Sequence, residues 1–243
     1  IAPAGPSAAI SNGRRVALVI GNSRYKSVEG LANPSRDAPA LARALTDVGF
    51  GSVKLATDLP REGFVDALRQ FSADADGADW AVIYFAGHGI ERGGQSFLLP
   101  ADAEYSDNPA LLEQTSLNVE TLKQFIRATG ARQVFAILDA CRNDPANGRT
   151  LNDNKLTESF SHSFDFNTRN SEIEAFVTLY ATSVGQRSFE YSEKRQGFFT
   201  WALIEGLKGK AANERGEVTL TRLKKYLEDE VKRAVLRELG MEQ

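Results

Sequence analysis

An α/β fold built on a mostly parallel sheet is predicted by three features of this 243-residue sequence. Two short apolar runs, one from Asp79 to Ala86 and one from Gln133 to Leu138, fit strands buried on both faces. Each run stops abruptly in reactive text: Gly87-His88-Gly89 after the first, Asp139-Ala140-Cys141-Arg142-Asn143 after the second. Segments with apolar residues at helical spacing lie before and between them, so strands and helices alternate. Open α/β sheets carry their reactive groups just beyond the carboxyl ends of parallel strands, which is where His88 and Cys141 fall.

In chain order, residues 1–13 read as a linker of small residues and proline. Arg15 to Ile20 is a first buried strand, turned by Gly21-Asn22. Ala38, Leu41, Ala42, Leu45 and Val48 mark a helix from Pro34 that Gly49 stops. Val53 to Ala56 is a short strand. Pro60 opens a second helix with Phe64, Leu68 and Phe71 on one face, closing near Gly77. The His88 strand then enters a hairpin, Ile90-Glu91-Arg92 and Gln95 to Leu99 about Gly93-Gly94. Asn118 caps a helix through Leu122, Phe125 and Ile126, and the Cys141 strand follows.

Residues 143–171 are rich in Asn, Asp, Ser, Thr and Lys without a period, and read as a long loop. Ala175 to Ala181 is a further strand, Phe198 to Leu207 a helix, and Thr219 to Leu239 a final amphipathic helix. The expected organisation is one domain over 14–243, in parts 14–142, 143–171 and 172–243.

Composition bounds the function. A net charge of −3 argues against a nucleic-acid partner or an anionic membrane surface, and no apolar run approaches a membrane span. One cysteine excludes an internal disulfide and a Cys-rich metal site. It leaves the compartment as cytoplasmic or periplasmic. Asp74-Ala75-Asp76-Gly77-Ala78-Asp79 fails the EF-hand pattern, because its Gly comes too early and Phe85 stands where the bidentate Glu belongs. It reads as a solvated turn, and no metal ligands are assigned.

A free cysteine is often just a small buried residue. The polar text around Cys141 at a strand end instead suits a nucleophile, since a thiolate attacks a carbonyl and a nearby imidazole holds its proton. His88 is the candidate base, because the only other histidine, His162, lies in the loop text. Amides of Gly89 and Cys141 are candidate oxyanion donors. Asp139, two residues before Cys141, faces the same way in a strand and would draw a cation into the cleft; alternatively it only binds loop amides. Asp37 favours a helix start, a role compatible with lining a pocket.

These residues resemble the caspase–metacaspase group of cysteine peptidases, in its bacterial caspase-like (orthocaspase) branch. The matching text is Val16 to Asn22, Asn33-Pro34-Ser35-Arg36-Asp37-Ala38, Tyr84 to Gly89, Leu138 to Cys141, Tyr180-Ala181-Thr182 and Gly197-Phe198-Phe199-Thr200. The caspase signature Q-A-C-[RQG]-G, with its His about 50 residues upstream, is met in spacing but departs at Asp139 and Asn143.

The resemblance implies a caspase-like three-layer sandwich, a mostly parallel six-stranded sheet flanked by helices, with large-subunit-like 14–142 and small-subunit-like 172–243. It further implies a peptide or protein substrate, with Ser183, Ser188 and Glu190 joining Asp139 and Asp37 in substrate binding. Asp139 replaces the Gln that caspases use to hold a substrate aspartate, and Glu190 replaces a pocket Arg. Such charge reversal predicts cleavage after Arg or Lys. Arg149, Lys155 and Arg169 are implied self-cleavage sites in the intersubunit loop. No cofactor is expected; calcium activation, common among metacaspases, stays open without ligands to name. Caspases dimerise through an added edge strand, and residues 208–216 are poor strand material, so a monomer is expected. The rival expectation is a weak or inactive relative serving as a scaffold or binding module.

Overall fold

Residues 13–92, 95–106, 108–141, 175–180, 190–191 and 196–239 are described by a computed structural model. Five strands form the parallel body of the sheet: β1 (Arg15–Gly21), β2 (Ser52–Thr57), β3 (Trp80–Arg92), β6 (Gln133–Cys141) and β7 (Ala175–Tyr180). Their order is β2-β1-β3-β6-β7, every pairing parallel. β3 is long enough to serve two partners along one edge. Its first half pairs with β1, and beyond Ala86 the edge passes to β4 (Gln95–Leu98), antiparallel, which pairs in turn with β5 (Leu117–Asn118). The sheet has seven strands against the six expected; the extra one, β5, is two residues long and too short to carry a period.

The central strands are apolar throughout because helices cover both faces. α2 (Arg61–Asp74) and α4 (Val119–Arg127) lie on one face, where Leu18, Ile20, Ile83, Phe85 and Leu138 join Phe64, Leu68 and Ile126 in one core. Phe64 stacks on Phe85 with ring centroids 5.4 Å apart. α1 (Pro34–Asp47), α5 (Phe198–Glu205) and α6 (Leu220–Leu239) cover the other, packing Leu41, Leu45, Phe199, Leu203 and Leu227 on Val19, Val82 and Tyr84. Fully burying each such side chain contributes roughly 1.5–3 kcal/mol. The result is the expected three-layer arrangement.

Local chemistry explains the helix starts. Asn118 accepts a hydrogen bond from the Glu120 amide at the N-terminus of α4, as its position predicts. A helix absent from the sequence reading, α3 (Pro109–Thr115), begins the same way, with Asn108 accepting from the Ala110 amide and Pro109 in the first turn. The Asp74–Asp79 stretch is a turn clamped by Arg14, whose guanidinium donates to the carbonyls of Asp74 and Asp76 while its amide donates to the Asp79 carboxylate. Residues 206–210 form a π turn and 211–219 turns and coil, so the 208–216 stretch is not a strand. Among the described residues no helix is long and apolar enough to cross a membrane.

Candidate active site

The sheet changes winding direction between β1 and β3: the chain leaves β1 for β2 on one side and returns to β3 on the other. Crevices in such sheets open at that point, outside the carboxyl ends of the strands. His88 stands there on β3, and the loop after β1 closes over it.

Register brings His88 and Cys141 together. The parallel β3–β6 ladder runs from Trp80↔Gln133 to His88↔Cys141, its last rung. Strand alternation puts positions 84, 88, 137, 139 and 141 on one face of the sheet. The Cys141 side chain lies outside the described residues.

His88 is 8 % exposed. Its Nε2 lies 2.8 Å from the Glu29 carbonyl oxygen. A carbonyl only accepts, so Nε2 carries the hydrogen and the neutral ring is left with its Nδ1 lone pair for a base's work. Burial pushes the His88 pKa below the ordinary 6.5, outweighing the opposing pull of the Glu29 carbonyl and charge.

Tyr25 holds His88 twice over. Its hydroxyl accepts from the His88 amide at 2.9 Å and donates to the Asn22 carbonyl, and its ring sits 4.7 Å from the imidazole. Gly87 makes room for this contact, since a Cβ there would lie 2.6 Å from the Tyr25 hydroxyl.

The loop after β1 is itself anchored. Asp58 accepts from the Ser23 and Arg24 amides at 2.8 Å each and pairs with the Arg24 guanidinium. Asn22 donates to the Leu99 carbonyl and accepts from the Leu59 amide.

The amide of Gly89 points away from β4. The Leu99 amide reaches the His88 carbonyl, which makes Gly89↔Leu98 a rung whose own polar groups face the opposite side. That side is the one where β6 ends.

Asp139 and Asp37 meet at the start of α5. Asp37, on α1, is 1 % exposed, and both its carboxylate oxygens lie 3.2 Å from the Gly197 amide that precedes α5. Asp139 Oδ2 accepts from the Thr200 hydroxyl at 2.8 Å. The Thr200 oxygen in turn lies 2.7 Å from the hydroxyl of Tyr84. A Cβ on Gly197 would be 3.1 Å from Asp37 Oδ2 and 3.8 Å from Asp139 Oδ2. Two carboxylates thus flank Gly197 on the face of the sheet that carries positions 88 and 141. Among the described residues, the Thr200 hydroxyl is one partner of Asp139. Burial, then the charges of Asp139 and Asp37, push the Tyr84 phenol well above its ordinary value, so it stays a donor.

Of the other candidates, Ser183, Ser188, Arg149, Lys155 and Arg169 lie outside the described residues. Glu190 falls in a short antiparallel ribbon, β8 (Glu190–Tyr191) with β9 (Gln196–Gly197), opposite Gly197, and its side chain is outside the described set. Among the described residues no group of three or more His, Cys, Asp or Glu could hold a metal ion.

Sequence reading missed Tyr25, the Glu29 carbonyl, Tyr84 and Thr200. A backbone carbonyl leaves no mark in a sequence. Thr200 did leave one: it is the only polar residue in the run Phe198-Phe199-Thr200-Trp201-Ala202, and a buried hydroxyl needs a partner.

Comparison with known proteins agrees with this architecture. The chain is 34% identical over 128 residues to the human mucosa-associated lymphoid tissue lymphoma translocation protein 1, a match covering 53% of this chain and 15% of that protein. It is 27% identical over 224 residues to a probable protease of a Desulfuromonadales bacterium, covering 79% of this chain and 26% of the relative. The chain thus spans only a minor part of the length of these relatives. The family model of the peptidase C14 caspase domain matches residues 14–242. With nearly the whole chain so matched, this protein belongs to the caspase-domain peptidase family.

Proposed function

We propose that this chain is a cysteine endopeptidase that cleaves peptides after Arg or Lys. The observation that carries the reading is the pair of carboxylates, Asp37 and Asp139, gathered at Gly197 on the sheet face that carries position 88. An Asp side chain brought against this pair would meet like charge, whereas a guanidinium would find two acceptors.

The Cys141 sulfur attacks the scissile carbonyl carbon, and the thiol proton passes to Nδ1 of His88. The carbonyl electron pair moves onto oxygen, which the Gly89 and Cys141 amides would receive. Collapse of this intermediate expels the amine, protonated by His88, and leaves a thioester. Water, deprotonated by His88, attacks the thioester; the acid departs and the thiol is restored. The His88–Glu29 hydrogen bond supports these steps by fixing the tautomer.

Matched fluorogenic peptides ending in Arg, Lys, citrulline and Asp test the reading, with Cys141→Ala as control. Cleavage after Arg and Lys is expected, with mass gain at Cys141 from an Arg-directed covalent inhibitor. Preference for Asp, or turnover by Cys141→Ala, would sink it.

A further inference from the structure

Three observations converge on the first turn of α5. Thr200 is fully buried and Tyr84 likewise. The Thr200 hydroxyl donates to Asp139 Oδ2, so its oxygen is free to accept from the Tyr84 hydroxyl, and the chain of donors Tyr84→Thr200→Asp139 ends on a carboxylate. The Tyr84 hydroxyl also lies 3.4 Å from that same carboxylate oxygen. Polarised chains of this kind strengthen each member and favour the ionised form at their end.

Gly197 adds the third. Its φ of −67° and ψ of 142° are extended backbone open to any residue, so its conformation gives no reason for glycine. Space does. The position its Cβ would take lies against the Asp37 and Asp139 carboxylates together.

We propose that the first turn of α5 is a specificity element of this site: Thr200, backed by Tyr84, is a positioning residue that aims the Asp139 carboxylate, and the bare Cα of Gly197 leaves both acids free of a Cβ where a basic P1 side chain would meet them. This rests on the reading of Asp37 and Asp139 as the P1 pocket. The ligand class is a guanidinium or ammonium side chain.

The test is the ratio of kcat/KM for an Arg peptide to that for its citrulline isostere, which cancels any difference in the amount of folded enzyme. Thr200→Val keeps the volume and removes the hydroxyl. It is expected to lower the ratio about tenfold, chiefly through KM for the Arg peptide, the size of one lost hydrogen bond to a charged group. Thr200→Ser restores the ratio, and Tyr84→Phe lowers it by a smaller factor. Gly197→Ala raises KM for Arg more than for Lys, whose ammonium is the more compact head. Thermal melting of each variant identifies any that fail to fold, in which case Thr200→Ser and Tyr84→Phe carry the decision.

An unchanged ratio in Thr200→Val, in an enzyme whose wild type prefers Arg over citrulline, overturns this inference and leaves the pocket reading standing. A wild type indifferent to that charge overturns both.

Discussion

The backbone of His88 stands across from that of Cys141 on the last rung of the β3–β6 ladder. Parallel pairing fixes this juxtaposition more firmly than any loop could, since a slip of one residue would turn one of the two positions to the opposite face of the sheet. Cys141→Ala is expected to abolish peptide hydrolysis. His88→Asn should lower kcat by about 10²–10⁴-fold with KM little changed. Steady-state kinetics on an Arg peptide measures both.

Acid should weaken the enzyme later than it weakens an ordinary histidine. Burial holds His88 below 6.5, so the neutral imidazole persists to more acidic pH and the acid limb of kcat/KM falls below pH 6.5. Stability follows the same sign. The unfolded chain takes up the proton first as pH falls, so this contribution is complete above 6.5 and is lost on going down from 6.5 through the folded value. His88→Asn should flatten that part of the curve of melting temperature against pH.

Tyr25→Phe removes the acceptor of the His88 amide and the donor to the Asn22 carbonyl, while keeping the ring against the imidazole. A stability loss of about 1–3 kcal/mol is expected in urea titration, because a buried amide is left unpaired. Activity should fall several-fold in kcat and hardly in KM, since the change displaces the proposed base and leaves Asp37 and Asp139 untouched.

Asp58 has φ of 51°, in the left-handed region that Asn tolerates and Ala resists. Asp58→Asn keeps an oxygen for the Ser23 and Arg24 amides; Asp58→Ala leaves them bare and adds strain. Costs of less than about 1 kcal/mol and of about 2–3 kcal/mol, respectively, are expected in urea titration. Burial alone would raise this carboxyl, yet the two amides and the Arg24 guanidinium bring it below 3.8. The advantage of wild type over the Asn variant is therefore full above pH 3.8 and fades as pH falls through the lower folded value.

The sheet was legible because its middle strands are wet on neither face, so β1, β3 and β6 show as unbroken apolar runs ending where polar chemistry begins. Asn118 was legible as a cap because capping is local. α3 escaped because seven residues carry less than two turns of period, although Asn108-Pro109 announced it. Each acid was readable by itself, Asp139 from its spacing to Cys141 and Asp37 at a helix start; only the resemblance joined them as a pair, since residues 37 and 139 are brought together by a fold and not by a spacing. Two groups that bond the acids, the Gly197 amide and the Thr200 hydroxyl, come from beyond the second apolar run and are joined to them by contacts that no window of sequence contains.

Asp37, Tyr84 and Asp139 precede the interval 142–174, and Gly197 and Thr200 follow it. β7 enters the same sheet from beyond that interval through six paired residues with β6, and Phe199 and Leu203 of α5 share a core with Leu41 of α1. Were the chain severed inside the interval, this pairing and this shared core should still hold the two fragments as a noncovalent pair. The proposed choice of a basic residue would then belong to the seam: one fragment owns the charges and the other the turn that seats them.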